Sequence, residues 1–262
     1  MTNETNCYDV PQYWDMAFGE DTVLETDFIE AAALKYCPLP VRSMYEPGCG
    51  GGRLVVELAK RGYNITGVDM SSASVKYAQA QLALASVSGN VAEGDMLNAL
   101  PGVKFEMAYC LVNTFRHLLT EEDAVQHLNS VASMLVEGGL YIIGMHLLPP
   151  DADEEDEEEW SVTEGDTTIN MQLVVEGCDR STRLETLQFT MSVQNTSGES
   201  LAEYKSGYRM RTYEADHMRS MLAKVPAFKL LDVYDFWYDI EEPLELSDEL
   251  GDTVFILQKK NL

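Results

Sequence analysis

Val41–Arg53, with the sequence VRSMYEPGCGGGR, decides the fold when it is read together with the run Gly67-Val68-Asp69 further along the chain. In the first stretch an apolar run ends at Glu46, and a cluster of glycines then precedes a helical-looking run. A second apolar run, Tyr63–Val68, ends in Asp69. The order of elements is strand, glycine turn, helix, strand and acid. An α/β chain with this order builds a nucleoside pocket at the carboxyl ends of its parallel strands. The sequence therefore predicts a nucleoside pocket in which the carboxylate of Asp69 accepts hydrogen bonds from both ribose hydroxyls.

The spacing of the glycines distinguishes between kinds of nucleoside site. A dinucleotide fingerprint, G-x-G-x-x-G/A, requires a third small residue where Arg53 stands, and a phosphate loop requires a Gly-Lys-Ser/Thr ending that the sequence lacks. The pattern that fits is E-x-G-x-G-x-G, formed by Glu46, Gly48, Gly50 and Gly52. It resembles motif I of the class I S-adenosylmethionine-dependent methyltransferases of the small-molecule type (type 11/25-like domains). An NAD-dependent oxidoreductase and a catalytically silent cofactor-binding or scaffold protein of the same fold stay open as alternatives.

The resemblance is specific over residues 41–146 and implies S-adenosyl-L-methionine as the cofactor and S-adenosyl-L-homocysteine as its product. It implies cofactor-binding residues at the carboxyl ends of predicted strands: Glu46, Gly48, Gly50, Asp69, Met70, Asp95, Met96 and Leu111. In this assignment Glu46 helps to hold the amino group of the cofactor and Asp69 its ribose. Asp95 accepts a hydrogen bond from the adenine amino group, while Met70 and Met96 lie against the ring.

Strands and helices alternate over the first half of the chain, which predicts an α/β, Rossmann-like sheet of seven mostly parallel strands with helices on both faces. Residues 41–148 and 213–262 form this predicted domain, after a helical lead-in at residues 1–40. Residues 149–212 are expected to form an acidic loop and an antiparallel β insertion, which follows the fifth strand and lies over the active site. Within it Asp151–Glu159 has eight acids in nine residues, a run that repels itself and is expected to stay solvated or disordered.

The composition limits the classes of protein. A chain of 262 residues with 45% hydrophobic residues suits one large globular domain, or a core with an insertion. A net charge of −26 argues against a nucleic-acid partner and an anionic membrane. It indicates either solubility or an acidic or salt-rich habitat, or attraction of cationic substrates such as amines. The sequence has no apolar run of membrane-spanning length, no secretory signal pattern and no Cys-x-x-Cys pair, so we expect a cytoplasmic protein without a metal site. Its oligomeric state, monomer or homodimer, stays open.

Candidate catalytic residues follow the fourth predicted strand. Methyl transfer from a sulfonium requires alignment of the nucleophile, the methyl group and sulfur, and exclusion of water, rather than a metal. Asn113, at the end of this strand, is expected to face the reacting methyl, and His117 just beyond it is a candidate general base. His146, after the fifth strand, is a second candidate base. The acceptor that we expect first is the nitrogen of a small-molecule amine, with oxygen as the alternative.

Four residues outside the cofactor motif are candidates for binding the methyl acceptor. Tyr13 and Trp14 lie in a tyrosine-rich lead-in that, by the resemblance, folds over cofactor and substrate, although both residues could instead only pack the lead-in. Arg209 and Arg211 stand two apart on a predicted strand and so share a face, from which they could hold a carboxylate or phosphate of the acceptor. The alternative is that they pair with surface acids. Arg53 is expected to reach the cofactor carboxylate, an acid of the lead-in, or solvent.

Overall fold

The computed structural model describes residues 6–153 and 155–260. Residues 1–5, 154 and 261–262, which belong to the predicted lead-in, acidic run and closing segment, lie outside the described residues. In the described chain, the strands of a first sheet are β1 (Ser43–Pro47), β2 (Asn64–Asp69), β3 (Asn90–Glu93), β4 (Phe105–Cys110), β5 (Leu135–His146), β10 (Phe228–Tyr234) and β11 (Asp252–Lys259). The strands of a second sheet are β6 (Asp156–Glu164), β7 (Thr167–Asp179), β8 (Leu184–Asn195) and β9 (Ser200–Arg211). The α-helices are α1 (Pro11–Ala17), α2 (Thr22–Tyr36), α3 (Arg53–Lys60), α4 (Ser72–Leu84), α5 (Glu121–Met134) and α6 (Ala215–Ala223).

The first sheet has the strand order β10-β11-β5-β4-β1-β2-β3. Its strands from β5 to β3 are parallel, whereas β11 pairs antiparallel with both β5 and β10. One hydrophobic cluster packs α5 and α6 on one face, and a second packs α2, α3 and α4 on the other. The structure confirms the predicted Rossmann-like sheet of seven mostly parallel strands. Because parallel strands end at the same edge of a sheet, the residues that follow β1, β2, β4 and β5 meet there.

Two helices begin at the residues that the sequence predicted, because a hydroxyl caps each of them. Ser71 Oγ accepts from the amide of Ser74 at 3.2 Å, and Thr120 Oγ1 accepts from the amide of Asp123 at 3.1 Å. The chain passes from α5 to β5 without an intervening loop. Backbone pairing of Leu135 with Phe105 starts β5 directly after α5, before the chain reaches Gly138 and Gly139.

The second sheet is antiparallel, with the order β6-β7-β8-β9. Its side chains alternate, so that along β8 buried apolar residues alternate with partly exposed, mostly polar ones. The buried face packs against the lead-in and forms one hydrophobic cluster with it: Cys7, Val10, Ala17, Ile169, Met171, Phe189, Met191 and Val193. Three of these strands were predicted, at residues 167–176, 182–194 and 201–211.

The sequence predicts a solvated or disordered loop for the acidic run, and the structure differs in part of it. Its second half begins β6 at Asp156, where the backbone pairs with Val175 of β7. The acidic side chains of β6 remain exposed, while Trp160 and Val162 pack against the hydrophobic cluster of the lead-in and second sheet. Solvation of the carboxylates and β-pairing of the backbone are compatible because β6 is an edge strand whose outer side faces water.

Arg116 and Glu185 form a buried ion pair that joins the two sheets. Arg116 lies in the short 3₁₀ turn Thr114–His117 after β4, and Glu185 lies on β8. Both side chains are only 7% exposed. Arg116 also donates from Nε to the carbonyl oxygen of Arg211 at 3.0 Å. No helix in the described part of the chain has both the length and the apolarity that crossing a membrane requires.

Removal of Glu185 is expected to destabilise the fold strongly, because Arg116 would remain buried without its partner. We expect Glu185→Ala to lower the free energy of unfolding by about 3–5 kcal/mol, measured by urea denaturation. Glu203→Ala is a matched control, since Glu203 is exposed on the neighbouring strand β9, and it should change stability by less than about 0.5 kcal/mol. Equal stability of the Glu185 and Glu203 variants would contradict the anchoring role.

Candidate active site

A cavity of about 1110 Å³ opens at the carboxyl edge of the first sheet. One wall consists of residues that follow β1, β2, β4 and β5. The opposite wall consists of the lead-in and the buried face of the second sheet. The predicted cofactor motif and the two elements predicted to select the substrate therefore face one shared space.

The glycine loop after β1 forms the floor of the cavity. Gly50 has φ +52°, a conformation that side chains rarely adopt, and a Cβ there would project into open space. A Cβ at the neighbouring Gly51 would collide with the carboxylate of Asp15 on α1. The loop therefore leaves room for a ligand at Gly50 and for close packing of the lead-in at Gly51.

Buried charges surround the amino-terminal end of α3. Arg53 forms an ion pair with Glu25 of α2 and donates to Thr22 Oγ1 at 3.2 Å, so it reaches an acid of the lead-in. Burial raises the pKa of Glu46 well above its ordinary value, while the charge of Arg53 acts in the opposite direction. Burial also raises the pKa of Asp15 to about 7, again opposed by Arg53. A single guanidinium thus faces three carboxyl groups, and this end of the cavity favours a cationic ligand group.

Asp69 accepts two backbone hydrogen bonds at the end of β2. Its Oδ2 accepts from the amide of Gly50 at 2.8 Å, and its Oδ1 accepts from the amide of Ser71 at 2.8 Å. Each carboxylate oxygen retains a second lone pair for a ribose hydroxyl. Met70, next in the chain, lines the cavity and is 73% exposed.

The predicted adenine-binding residues after β3 separate in the structure. Met96 lines the cavity, and its carbonyl oxygen accepts from Nδ1 of the buried His127 at 2.8 Å. Asp95 is absent from the cavity lining, because its carboxylate accepts from the amide of Leu97 at 2.9 Å within its own turn. The other predicted cofactor-binding residues line the cavity: Glu46, Gly48, Gly50, Asp69, Met70 and Leu111. Their roles in binding remain predictions.

Asn113 fixes the backbone at the end of β4. Val112 and Asn113 both have positive φ, at 52° and 64°, which is costly for a β-branched residue such as valine. Asn113 Oδ1 accepts from the amide of His146 at 2.8 Å and from Arg116 at 3.3 Å. Its side chain therefore holds the ends of β4 and β5 together, and the residue still lines the cavity where the reacting methyl was expected.

His117 shares a hydrogen bond of 3.1 Å, through Nε2, with the phenol of Tyr8. Both residues line the cavity, and Tyr208 of β9 packs on both rings. Burial, together with the neighbouring charge of Arg116, lowers the pKa of His117 to about 4. The imidazole is therefore neutral at physiological pH. Sequence reasoning did not select Tyr8 or Tyr208; the alternation of Tyr208 and Met210 along β9 was the available signal for the latter.

His146 lines the cavity at the end of β5, and its Nδ1 contacts the carboxylate of Asp252 on β11. The ring lies edge-on to Phe236, with centroids 5.3 Å apart. The strands β5 and β11 place His146 and Asp252 directly opposite each other in register. Asp252 was not a predicted site residue, since pairing between distant strands cannot be read from local sequence.

Trp14 is the predicted substrate residue that lines the cavity. Tyr13 does not line it; the ring packs instead on Tyr204 of the second sheet, with centroids 5.9 Å apart. Arg209 and Arg211 are not brought to the cavity either, which corrects the prediction for both. Strand alternation turns the inward face of β9 to Tyr208 and Met210, and Arg211 donates to the carbonyl of Leu119 at 2.9 Å outside the lining.

Comparison with known proteins identifies the part of the chain that carries the glycine loop. Residues 45–139 match the family described as "Methyltransferase domain". This part of the chain therefore resembles a methyltransferase domain. The match covers β1 to β5, so it includes the floor of the cavity and the turn that holds His117.

A curated relative and two solved structures that resemble the chain are also methyltransferases. A putative methyltransferase of Geobacillus sp. (strain WCH70) is 27% identical over 119 residues, which are 45% of this chain and 48% of that protein. The chain spans about half the length of the curated relatives that it matches. Among solved structures, an S-adenosylmethionine-dependent methyltransferase from Clostridium acetobutylicum superposes with a TM-score of 0.77 at 17% identity, covering 98% of this chain and 100% of that one. The sugar N-methyltransferase KedS8 from Streptoalloteichus sp. superposes with a TM-score of 0.70 at 14% identity, covering 93% and 90%. The fold is that of the S-adenosylmethionine-dependent methyltransferases.

The residues of the cavity fit S-adenosylmethionine. Glu46 Oε2 is buried without a hydrogen-bond partner in the described chain, and an ammonium group is the natural donor for it. Gly50 leaves the floor open, and Asp69 retains free lone pairs for a ribose. Among the described residues, no cluster of three or more His, Cys, Asp or Glu side chains is placed to hold a metal ion.

Loss of the Asp69 carboxylate is expected to abolish cofactor binding while the fold survives. We expect Asp69→Ala to raise the Kd for S-adenosylhomocysteine at least about 100-fold, since hydrogen bonds to a charged group contribute roughly 1.5–3 kcal/mol each. Isothermal titration calorimetry measures the affinity and circular dichroism the fold. Glu93→Ala is the matched control, because Glu93 pairs with Asp69 across β2 and β3 but lies outside the lining. Unchanged affinity of the Asp69 variant would refute the ribose role.

Asp15 is expected to make stability fall as pH rises. Its pKa is raised from 3.8 to about 7 in the folded chain, so between these values the folded state holds a proton that the unfolded state has lost. Asp15→Asn should therefore gain about 2–3 kcal/mol of stability over the wild type between about pH 5 and about pH 8. Urea denaturation at both pH values measures the gain, with Asp9→Asn, exposed on the preceding turn, as control. A gain that does not change with pH would contradict the burial of the Asp15 carboxyl.

Proposed function

We propose that the chain transfers a methyl group from S-adenosylmethionine to the amine nitrogen of a small molecule. The observation that carries the proposal is the single cavity in which the glycine loop, Asp69 and Glu46 face an aromatic and acidic wall built by the lead-in and second sheet. The sugar N-methyltransferase among the structural neighbours supports a nitrogen acceptor. In this proposal the lead-in and residues 149–212 together cover the acceptor.

The aromatic part of the wall suits the body of an organic amine. The rings packed there come from the lead-in and the second sheet: Tyr8, Trp14, Phe18, Trp160, Phe189 and Tyr208. Trp14 has centroid distances of 5.2 Å to Phe18 and 5.1 Å to Phe189, so the rings form one continuous surface. Aromatic faces bind apolar groups by burial and ammonium groups by the cation–π interaction.

The charges of the cavity favour a cationic acceptor. The two arginines of the lining, Arg53 and Arg116, are ion-paired with Glu25 and Glu185. Further carboxylates lie where the second sheet and the lead-in border the cavity: Asp9, Asp153, Glu155, Asp156 and Glu158. A cleft lined with one sign of charge concentrates ligands of the opposite sign and speeds their association. An amine that is protonated in solution is therefore drawn into this cavity.

The chain contributes orientation and exclusion of water. S-adenosylmethionine, when bound, supplies a methyl group already activated on a sulfonium. In our proposal the Tyr8–His117 pair holds the acceptor nitrogen, because the phenol oxygen of Tyr8 keeps an acceptor lone pair beside its hydrogen bond to His117. The turn that carries His117 is anchored by Arg116 and Asn113, which keeps the nitrogen in line for displacement. The aromatic wall displaces water from the reacting groups.

Ligand binding and turnover test this function. We expect a thermal shift with S-adenosylhomocysteine and none with NAD. The acceptor panel contains compounds of one shape and different head groups: 2-phenylethylamine, 2-phenylethanol and 3-phenylpropionic acid. Mass spectrometry should show a methylated product from the amine, and Asp69→Ala should form none. Stabilisation by NAD alone would refute the methyltransferase assignment, and methylation of the alcohol or acid in preference to the amine would refute the nitrogen acceptor.

A further inference from the structure

The cavity contains a second histidine, His146, whose surroundings differ from those of His117. His146 Nδ1 contacts the carboxylate of Asp252, and the two side chains are 39% and 50% exposed. His117 is instead buried among Tyr8, Tyr208 and Arg116. Both histidines line the cavity close to the end of β4, since Asn113 binds the amide of His146 and the side chain of Arg116, the residue before His117.

The contact with Asp252 determines which nitrogen of His146 is available. A carboxylate at Nδ1 keeps a proton there and leaves Nε2 as the basic nitrogen. Nε2 has no hydrogen-bond partner among the described residues, and the ring is held edge-on by Phe236 of the cavity wall. The Asp252 carboxylate therefore lies on one side of the His146 imidazole and the cavity on the other, which is the arrangement that orients a general base.

The surroundings of His146 and His117 differ in charge and in exposure. Asp252 on β11 is the charged group that contacts the ring of His146, whereas the end of β4 contributes Asn113 and the loop after β10 contributes Phe236, both uncharged. The side chain of His146 is 39% exposed, so a proton on Nε2 can pass to water. His117 has neither property, because Arg116 opposes its protonation and burial separates it from solvent.

An alkylamine acceptor needs such a group. An ammonium of the lysine type has a pKa of about 10.4, so at neutral pH almost every molecule lacks the free electron pair that attacks a methyl group. An enzyme that binds the ammonium form must therefore remove one proton inside the closed cavity.

We propose that His146, oriented by Asp252, is the catalytic base that takes this proton from the bound ammonium. The N–H bond of the acceptor breaks, its electron pair stays on nitrogen, and an Nε2–H bond forms on His146; water then takes the proton from Nε2. This step rests on the amine acceptor proposed above. It assigns the proton transfer to His146 and leaves His117, held by Tyr8, to orient the nitrogen.

Histidine NMR tests the contact between the amine and His146 without turnover. In the protein saturated with S-adenosylhomocysteine, 2-phenylethylamine should shift the Nε2 resonance of His146, because its ammonium group donates a hydrogen bond to this nitrogen. The isosteric alcohol 2-phenylethanol should produce a smaller shift, since a neutral donor forms the weaker hydrogen bond, and Asp252→Asn should greatly reduce the shift caused by the amine. Binding is measured in parallel by calorimetry. If the amine binds and the His146 resonance does not move, the base role is refuted while the amine acceptor stands; if the amine does not bind, the amine acceptor itself is refuted, and this step with it.

Kinetics provide a second readout. At neutral pH, His146→Gln should lower kcat/KM for 2-phenylethylamine about 100-fold, the usual contribution of a general base. The loss should shrink as pH approaches about 10, because the amine then arrives deprotonated. His217→Gln is the matched control, since His217 caps α6 by accepting from the amide of Glu214 at 3.1 Å and lies outside the cavity. A loss of equal size at all pH values would show a structural role and overturn the proposal.

Discussion

The hydrogen bond from the amide of Gly50 to Asp69 Oδ2 is the interaction on which the cavity floor depends. It joins the loop after β1 to the acid after β2, two strands that are parallel neighbours in register. The same carboxylate accepts from Ser71 at the start of α4, so it fixes three segments at once. The floor is therefore rigid before any ligand arrives, and preorganisation of this kind reduces the entropy lost on binding.

A buried excess of carboxyl groups extends from this floor into the lead-in. Glu46, Glu25 and Asp15 share the single guanidinium of Arg53. Their burial costs stability in the absence of a cationic partner, which is why burial raises the pKa of Asp15 and Glu46. In the proposed function this cost has a role, since a site that receives an ammonium group needs an uncompensated carboxylate nearby. The lead-in is thus tied to the cofactor floor by charge and to the second sheet by apolar packing.

Local sequence predicts the parts of the site that depend on motif and strand ends. The seven-stranded sheet follows from the apolar runs along the chain. Glu46, the glycine loop and Asp69 follow from their positions at the ends of two of these runs. Alternation along β9 shows which residues share a face, but Arg209 and Arg211 were assigned to the inward face, which carries Tyr208 and Met210 instead. Local sequence cannot predict long-range partners such as Tyr8 with His117 or His146 with Asp252, which are brought together by tertiary packing alone.

The cofactor floor and the acceptor wall have separate hydrophobic clusters, and the short turn after β4 connects them. Arg116 of this turn pairs with Glu185 on the second sheet, and His117 bonds to Tyr8 of the lead-in. The strained backbone at Val112 and Asn113 is retained because Asn113 holds both the turn and the end of β5. In the proposed reaction the geometry between acceptor and methyl group therefore depends on this turn, which joins the acceptor wall to the cofactor floor.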